Sequence, residues 1–439
     1  MSIFKSYDIR GIYPSQINEG IVEKIGKAFV TYLSAKKVVV GYDMRTHSKP
    51  LFDALANGIV SAGADVINIG LCSTPIAYFA NGTLQADGSL MITASHNPGE
   101  WNGLKLCRDR AIPISGETGI KDIEKIVFSS KWKTAATKGV IKEHDISEAY
   151  GKHIRSFSKL TKKLKVVVDF GNAMGSMEIK GIRDLFEIIP LYEELDGSFP
   201  NHEANPLIAE TLHDLRRKVK VTGADFGAAF DGDADRCGFI DNGGEIIPMD
   251  IITAIIAEDI LKDGHQTILY DLRSSRAVKE CIEANGGKAV MCRVGHSFIK
   301  AQMRETNAAF AGELSGHYYF RENFVAESQA LAFLKFANLI CTTGKTASEL
   351  IAPLEKYYSA GEINSEVKDV KNVLNKLKQK YSDGKILELD GLSVEYDDWW
   401  FNVRPSNTEP LLRLNLEAST KTKMEEKRDE LLALIREDS

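Results

Sequence analysis

Three loops of the sequence carry acidic, basic or hydroxyl side chains directly after an apolar run. Leu-Met-Ile at 90–92 leads into Thr-Ala-Ser-His-Asn-Pro at 93–98, Phe-Gly-Ala-Ala-Phe at 226–230 into Asp-Gly-Asp-Ala-Asp-Arg at 231–236, and Ala-Ala-Phe-Ala at 308–311 into Gly-Glu-Leu-Ser-Gly-His at 312–317. Each apolar run is typical of a short buried strand, and ligands of α/β sheets bind at the carboxyl ends of such strands. We therefore predict loops that bind phosphate, metal or sugar.

The first loop places a hydroxyl beside an imidazole. Ser95 and His96 follow the apolar run, and Pro98 disfavours the helical region for Asn97, so the chain turns there. A serine in this turn presents its hydroxyl at the strand end, and the adjacent histidine could move a proton or neutralise an anion. A turn that is merely rich in hydrogen bonds remains the alternative.

The second loop places three carboxylates at alternate positions, Asp231, Asp233 and Asp235. In an extended chain they would project to one side, roughly 7 Å apart. At an effective dielectric near 20, adjacent pairs would then repel by roughly 2 kcal/mol. A hard cation such as Mg²⁺ or Ca²⁺ relieves that repulsion. The calcium EF-hand spacing fails, because Arg236 and Asn242 stand where Gly and Glu are required; a solvated acidic turn stays possible.

The third loop also alternates, with Glu313, Ser315 and His317 at every second position. Side chains at this spacing could line one wall of a pocket. A carboxylate next to a hydroxyl can hold vicinal sugar hydroxyls by paired hydrogen bonds. A polar loop with one satisfied histidine is the alternative.

A fourth polar loop, Arg-Pro-Ser-Asn-Thr-Glu-Pro at 404–410, lies near the C-terminus. Arg404, Ser406, Asn407 and Thr408 would supply a guanidinium fork, two hydroxyls and an amide. Together with nearby backbone N–H groups, these donors make a compact anion cradle. Without its context, the segment could equally be a hydrogen-bonded turn.

In this order, the four loops resemble the serine, metal, sugar and phosphate loops of the α-D-phosphohexomutase family. The resemblance covers essentially the whole chain. It implies an enzyme whose Ser95 carries phosphate, and whose three aspartates bind Mg²⁺ together with one oxygen of that phosphate. Hexose 1,6-bisphosphate would be the intermediate and the activator.

The resemblance also implies roles for individual side chains. Lys105, ten residues after Ser95, would face the serine phosphate. The third loop would read the 3- and 4-hydroxyls of the hexose, and the fourth would clamp whichever phosphate is not reacting. Further cleft residues implied by the resemblance are Tyr7, Arg10, Arg236, Arg273 and His296. The base that takes the sugar hydroxyl proton stays open among Lys105, His96 and Arg273.

The substrate branch follows from Leu314 in the third loop. With an apolar residue at this position, the loop resembles those of the phosphomannomutase and dual phosphomannomutase/phosphoglucomutase members. The glucosamine branch typically has Gln there. The resemblance therefore implies interconversion of mannose 6-phosphate and mannose 1-phosphate. Preference for glucose or glucosamine phosphates, a non-catalytic sugar-phosphate-binding relative and a plain phosphatase remain alternatives.

The elements that must position these loops alternate between strand and helix. Apolar residues at every fourth position predict a helix over 17–33, and strands are predicted at 38–40, 66–69, 165–169 and 267–270. Beyond Gly361 the pattern changes to a polar helix over about 366–381, strands near 385–389, 392–396, 399–403 and 411–416, and a charged terminal helix. Strand–helix alternation is typical of largely parallel α/β sheets.

We therefore predict an α/β protein with three similar α/β modules, whose sheets are mixed and largely parallel, plus a C-terminal α+β domain. The four domains would surround a central cleft. The predicted limits are 1–150 with the phosphoserine loop, 151–250 with the metal-binding loop, 251–360 with the sugar-binding loop and 361–439 with the phosphate-binding loop.

Composition restricts the classes of partner. A chain of 439 residues is long enough for three or four domains, and its net charge of −6 argues against a nucleic-acid-binding surface. No apolar run approaches the roughly 20 residues of a membrane span, and no signal peptide is visible. The six cysteines are scattered, which favours reduced thiols and a cytoplasmic location. The sequence leaves open whether the protein is a monomer or a homodimer.

Overall fold

Four β-sheets follow one another along the chain in the computed structural model, which describes residues 2–406 and 411–437. The first unit contains β1 (Ile9–Ile12), α1 (Glu19–Leu33), β2 (Lys37–Tyr42), α2 (Ser48–Ser61), β3 (Asp65–Leu71), α3 (Thr74–Thr83), β4 (Gly88–Ile92), β5 (Trp101–Arg108), α4 (Lys121–Ser129) and β6 (Ile141–Glu143), and its sheet order is β1-β5-β4-β2-β3-β6. The second contains α5 (Ser147–Arg155), β7 (Lys165–Asp169), α6 (Gly175–Glu178), β8 (Glu187–Leu191), α7 (His213–Thr222), β9 (Phe226–Phe230), β10 (Cys237–Ile240) and β11 (Ile246–Ile247), in the order β11-β10-β9-β7-β8.

The third unit contains α8 (Met249–Leu261), β12 (Thr267–Asp271), α9 (Arg276–Ala284), β13 (Lys288–Cys292), α10 (His296–Thr306), β14 (Phe310–Gly312), β15 (Tyr318–Phe320), β16 (Ala326–Glu327), α11 (Gln329–Thr343) and α12 (Ala347–Ile351), in the order β13-β12-β14-β15-β16. The fourth contains β17 (Tyr358–Glu366), α13 (Val370–Lys380), β18 (Lys385–Leu387), β19 (Leu392–Glu395), β20 (Trp399–Pro405), β21 (Leu411–Ala418) and α14 (Lys421–Arg436), in the order β17-β21-β20-β19-β18.

The first three sheets share one plan, which confirms the predicted trio of similar α/β modules. In each, parallel core strands continue into an antiparallel strand: β4 returns as β5, β9 as β10 and β14 as β15. The three loops with predicted chemistry are these strand-to-strand connections. Since the core strands end at the same edge of their sheets, the fold repeats one loop position three times with different side chains.

The C-terminal sheet is antiparallel throughout, which confirms the predicted α+β domain. One strand at its edge, β17, is not apparent in the sequence, because its residues are mostly polar or half-exposed and include Gly361. The predicted helix over 366–381 starts later, at Val370, where the Asp369 side chain accepts a hydrogen bond from the Asn372 N–H.

A single apolar cluster runs through the first three units and fixes how their loops face one another. It includes Val39, Val166, Ile252 and Phe333. The helix α11 is buried from Gln329 to Ile340, as expected for a helix that packs on several sides. The fourth domain has its own apolar cluster. In the described part of the chain, none of the helices is both long and apolar enough to span a membrane.

Candidate active site

The serine loop and the aspartate loop touch at Ser95. The Ser95 Oγ donates a hydrogen bond to the Asp231 Oδ2 at 2.8 Å and lies 3.2 Å from the His96 Nδ1. Ser95 has a left-handed backbone, with φ of 50°. The close approach of the two loops requires glycine at position 232, because a Cβ there would lie 2.1 Å from the Ser95 carbonyl oxygen. The first two loops are therefore fitted to each other through backbone as well as side chains.

Arg45, which the sequence did not single out, holds the serine loop from behind. Its guanidinium donates to the carbonyl oxygens of Ser95 at 2.8 Å, Asn97 at 2.6 Å and Pro98 at 2.7 Å. It is buried beside Asp43, whose Oδ2 lies 3.3 Å from the Arg45 Nε. The only sequence signal is that the pair follows β2, the core strand next to β4. Arg45 thus fixes the turn that presents the Ser95 hydroxyl.

The three aspartates lie on a turn rather than on an extended strand, which corrects the geometry expected from their alternation. Ala234 has a left-handed φ of 58°, and the turn folds the carboxylates together. One oxygen of each lies within 4.8 Å of the others, and all three residues are buried. Among the described residues, the buried Asp233 Oδ1 has no hydrogen-bond partner. An all-oxygen donor set with an unpaired buried oxygen fits a hard divalent cation.

The charges around the aspartates are strongly coupled. Burial and the neighbouring Asp235 and Asp233 raise the pKa of Asp231 well above its ordinary value. Burial alone would also raise the pKa of Asp235, but Lys105 and His317 outweigh it and lower that pKa. The Lys105 Nζ lies 2.6 Å from the Asp233 Oδ2 and also bonds the Asp235 carboxylate. The turn therefore gathers three carboxylates and the cations that face them at one buried place.

Two of the predicted cleft cations stay charged, and one predicted base stays neutral. Burial would lower the pKa of Lys105, but Asp233 and Asp235 outweigh it and raise that pKa. Burial would also lower the pKa of Arg273, but the contact of Arg273 with Asp271 outweighs burial and raises that pKa. Arg236 and burial lower the pKa of His96 to about 2. The His96 imidazole is therefore neutral and a weak base in this site, and the charged Lys105 and Arg273 side chains can stabilise anions.

The third loop reaches the aspartate turn through His317. Its Nε2 lies 3.4 Å from the Asp235 Oδ1, and its Nδ1 lies 2.9 Å from the Ser315 Oγ. Burial would lower the pKa of His317, but Asp235 raises it to about 9. Glu313 is held by the Tyr319 hydroxyl, which donates to its Oε2 at 2.5 Å. The Glu313 Oε2 lies 3.3 Å from the His317 Nδ1, so the three alternating residues contact one another.

Arg236, in the second loop, contacts both the aspartate turn and the third loop. Its backbone N–H donates to the Asp231 Oδ1 at 3.1 Å, and its Nε lies 3.4 Å from the His317 Nε2. Its side chain therefore lies between the aspartate turn and the sugar loop.

The N-terminal residues also reach this group. The Arg10 Nη1 donates to the Asn97 Oδ1 at 2.8 Å, so Arg10 lies against the serine loop. The Tyr7 ring lies 5.6 Å from the His296 ring, centroid to centroid. Gly295, with φ of 121°, lets the tyrosine approach, because a Cβ there would lie 3.1 Å from its hydroxyl oxygen.

Arg404 lies apart from the serine, in a cluster of arginines around Glu362. The Arg404 Nη2 lies 2.9 Å from the Glu362 Oε2, the Arg413 Nη1 lies 3.3 Å from its Oε1, and the Arg273 Nη1 lies 3.6 Å from its Oε2. Arg273 also pairs with Asp271. Glu362 therefore links the third domain to the fourth. Ser406 ends the described part of this loop, and the predicted residues Asn407 and Thr408 lie outside the described residues.

The fold and the site define a four-domain phosphohexomutase: a serine beside an acidic turn, a polar loop from the third domain, and an arginine cluster where the third and fourth domains meet. The chain belongs to the phosphoglucomutase/phosphomannomutase family. Residues 1–134, 148–244 and 248–357 match its alpha/beta/alpha domains I, II and III, and residues 362–434 match its C-terminal domain.

Individual relatives match over nearly their full length. The chain is 41% identical to a phosphomannomutase of Methanocaldococcus jannaschii, over 99% of this chain and 98% of that protein. It is 37% identical to a phosphomannomutase of Escherichia coli, over 100% of this chain and 99% of that protein. A crystal structure of a phosphoglucomutase/phosphomannomutase family protein from Burkholderia thailandensis superposes with a TM-score of 0.92 at 32% identity, covering 99% of this chain and 97% of that chain.

Proposed function

We propose that the protein is a phosphomannomutase that interconverts mannose 6-phosphate and mannose 1-phosphate with Mg²⁺. The observation that carries the proposal is the hydrogen bond from the Ser95 Oγ to the Asp231 Oδ2 at 2.8 Å, inside a buried acidic turn. A hydroxyl in that position suits a phosphoryl carrier whose charge must be balanced. The names of the relatives from M. jannaschii and E. coli support mannose phosphates as substrates.

The reaction consists of two phosphoryl transfers. A free sugar hydroxyl attacks the phosphorus and gives up its proton to a base, the P–O bond to Ser95 breaks, and the serine oxygen takes up a proton as hexose 1,6-bisphosphate forms. The bisphosphate turns around, the Ser95 hydroxyl attacks its other phosphoryl group and loses its proton, and the P–O bond to the sugar breaks as the sugar oxygen takes up a proton. Asp231, Asp233 and Asp235 would hold Mg²⁺, which when bound neutralises charge on the transferring group. Lys105 stabilises the same charge, and the His96 Nδ1, held neutral by Arg236 and by burial, lies 3.2 Å from the Ser95 Oγ.

Glu313, Ser315 and His317 would orient the sugar ring. Their mutual contacts and those with Tyr319 and Asp235 fix the side chains before substrate binds. Preorganised polar groups cost little entropy when they bind hydroxyls. The loop therefore sets which sugar hydroxyl faces Ser95.

The first test is substrate preference, with Leu314 as the probe. Leucine offers no amide to favour a 2-amino or 2-acetamido group, so kcat/KM should be higher for mannose 1-phosphate than for glucosamine 1-phosphate. Glucose 1-phosphate should come close, because mannose and glucose share their 3- and 4-hydroxyls. Rates are compared for all three sugar phosphates with a trace of hexose 1,6-bisphosphate.

Substitutions at Leu314 sharpen that test. Leu314→Gln should narrow the gap between mannose and glucosamine phosphates, and Leu314→Met, which stays apolar, should leave it unchanged. A wild-type preference for glucosamine 1-phosphate would contradict the mannose assignment. Release of inorganic phosphate without isomerisation would identify a phosphatase, and binding without turnover a non-catalytic relative.

Arg404→Ala should weaken binding of 1-phosphates and 6-phosphates alike. If the bisphosphate turns around, one cradle must hold the 6-phosphate in one half-reaction and the 1-phosphate in the other. Losing a charge-assisted contact costs roughly 1.5–3 kcal/mol, or about 10- to 150-fold in affinity. The variant should also release its intermediate more often, so added hexose 1,6-bisphosphate should restore part of the rate.

Steady-state kinetics in both directions, with and without the bisphosphate, check this expectation. Arg404→Lys is the matched control: it keeps the charge but not the guanidinium fork, and should lie between wild type and Arg404→Ala. Loss of 6-phosphate binding alone would rule out a shared cradle.

We also propose that hexose 1,6-bisphosphate activates the protein and that its domain limits lie near residues 150, 250 and 360. The protein would be a cytoplasmic monomer or homodimer.

A further inference from the structure

Glu178, at the end of α6, is a buried carboxylate that the reaction described above does not use. Only 1% of its surface is exposed. Its Oε2 accepts a hydrogen bond from the Ser73 Oγ at 2.6 Å, and its Oε1 accepts from the Tyr150 hydroxyl at 2.7 Å and from the Ala330 N–H at 2.9 Å. Ser73 belongs to the first sheet unit and Ala330 to the third. Glu178, from the second, therefore joins three units at one point.

Ser73 and Ala330, the partners of Glu178 in the first and third units, lie at the starts of helices. Ser73 is the N-cap of α3, and its Oγ also accepts a hydrogen bond from the Ile76 N–H at 3.3 Å. Ala330 lies in the first turn of α11, whose N-cap Ser328 lies 2.9 Å from the Tyr150 hydroxyl. A carboxylate at helix amino ends satisfies free N–H groups and is favoured by the helix dipoles. Glu178 therefore fixes the starts of α3 and α11 relative to each other.

The first residue of each helix contacts the acidic turn. Thr74, next to Ser73, donates from its Oγ1 to the Asp233 Oδ2 at 2.5 Å and from its backbone N–H to the Asp233 carbonyl oxygen at 3.0 Å. Gln329, next to Ala330, donates from its Nε2 to the Asp235 carbonyl oxygen at 2.6 Å. Two of the three aspartates are thus held by residues adjacent to the partners of Glu178.

We propose that Glu178 is a positioning residue for cation binding by the acidic turn. It ties the starts of α3 and α11 together, so that Thr74 and Gln329 hold Asp233 and Asp235 at the spacing a divalent cation needs. This inference rests on the proposed function in one respect, that the acidic turn binds Mg²⁺. It assigns Glu178 no contact with substrate or with the ion.

The test is Mg²⁺ affinity, measured by calorimetry on the full chain. Glu178→Gln keeps the size of the side chain but replaces an acceptor oxygen with an NH₂ donor, so some of the three hydrogen bonds are lost. We expect Mg²⁺ binding to weaken by about 10-fold, the effect typical of residues that orient metal ligands. Tyr150→Phe removes one hydrogen bond to Glu178 and keeps the ring. It should weaken binding in the same direction by a smaller factor, and it serves if Glu178→Gln folds poorly.

Glu417→Gln is the matched control. Glu417 is also buried, and its Oε1 accepts from the Arg276 N–H at the start of α9 and from the Trp400 Nε1, both at 3.0 Å. The same chemical change there should lower the melting temperature and leave Mg²⁺ affinity intact. Wild-type affinity in folded Glu178→Gln or Tyr150→Phe, or equal weakening in Glu417→Gln, would overturn the positioning role alone. A wild-type chain that binds no divalent cation would overturn the proposed function as well.

Discussion

Ser95→Ala should lower the rate of hexose phosphate interconversion by several orders of magnitude while the protein stays folded. In the proposed mechanism Ser95 carries the phosphoryl group, so the substitution removes the oxygen to which that group is transferred. It removes only one oxygen from a turn that Arg45 holds through backbone carbonyl groups. The loss should therefore fall on kcat and not on stability.

The measurement is a coupled mutase assay with the melting temperature recorded in parallel. Ser89→Ala is the control: it removes a buried hydroxyl from β4, the strand that leads into the serine loop, where the Ser89 Oγ accepts from the Asn81 Nδ2 at 3.0 Å. That variant should keep its activity. Near wild-type turnover by Ser95→Ala, with or without added bisphosphate, would refute the phosphoserine role.

Asp231→Asn should lower activity by about 10²- to 10⁴-fold and should not destabilise the metal-free protein. The change removes a proposed cation ligand, and a bound metal ion typically contributes several kcal/mol to phosphoryl transfer. It also removes a negative charge that burial and two neighbouring carboxylates already disfavour. The amide oxygen can still accept from the Ser95 hydroxyl. Activity should therefore fall while the stability of the metal-free protein is retained.

Thermal unfolding with chelator and with Mg²⁺ separates the two effects. Wild type should melt at a higher temperature with Mg²⁺, because a ligand that binds only the folded state stabilises it. Asp231→Asn should show little such shift. Asp225→Asn is the matched control, because Asp225 lies at the opposite end of β9, where its Oδ2 accepts from the Lys165 N–H at 2.8 Å. A wild-type Mg²⁺ shift in Asp231→Asn would contradict metal binding at the turn.

Local patterns were enough to predict the fold class and the three strand-end loops. Each loop follows a short apolar run, and the carboxyl ends of core strands gather at one edge, so the sequence places Ser95, Asp231 and Glu313 in equivalent positions of three modules. The contact between Ser95 and Asp231 needs more than this pattern. It depends on a shared core that packs the modules together and on the missing Cβ of Gly232.

Residues that support the loops from other elements could not be predicted in the same way. Ser-Thr-Pro at 73–75 signals a helix start, but nothing local shows that Thr74 bonds the Asp233 carboxylate 159 positions away. Arg45 bonds carbonyl groups in a loop about 50 residues later. Glu362 lies on an edge strand with a polar sequence, so neither the strand nor its three arginine partners were apparent.

The distances between the carboxylates of the aspartate turn could not be predicted from the sequence. Alternate positions suggested an extended segment with carboxylates roughly 7 Å apart, but a left-handed Ala234 brings one oxygen of each within 4.8 Å. A non-glycine residue in this conformation is uncommon and is imposed by its surroundings. The sequence therefore indicated which residues form the site but not how closely they approach.

The phosphoserine mechanism is tested by locating the phosphoryl group on the protein. The chain is treated with phosphatase, incubated with hexose 1,6-bisphosphate and Mg²⁺, and analysed by intact mass and peptide mapping. We expect one added phosphate on Ser95 in wild type, its removal on incubation with mannose 1-phosphate or mannose 6-phosphate, and no added mass in Ser95→Ala. Phosphate on another residue, or none on a chain that still isomerises the sugar phosphates, would contradict the phosphoserine mechanism.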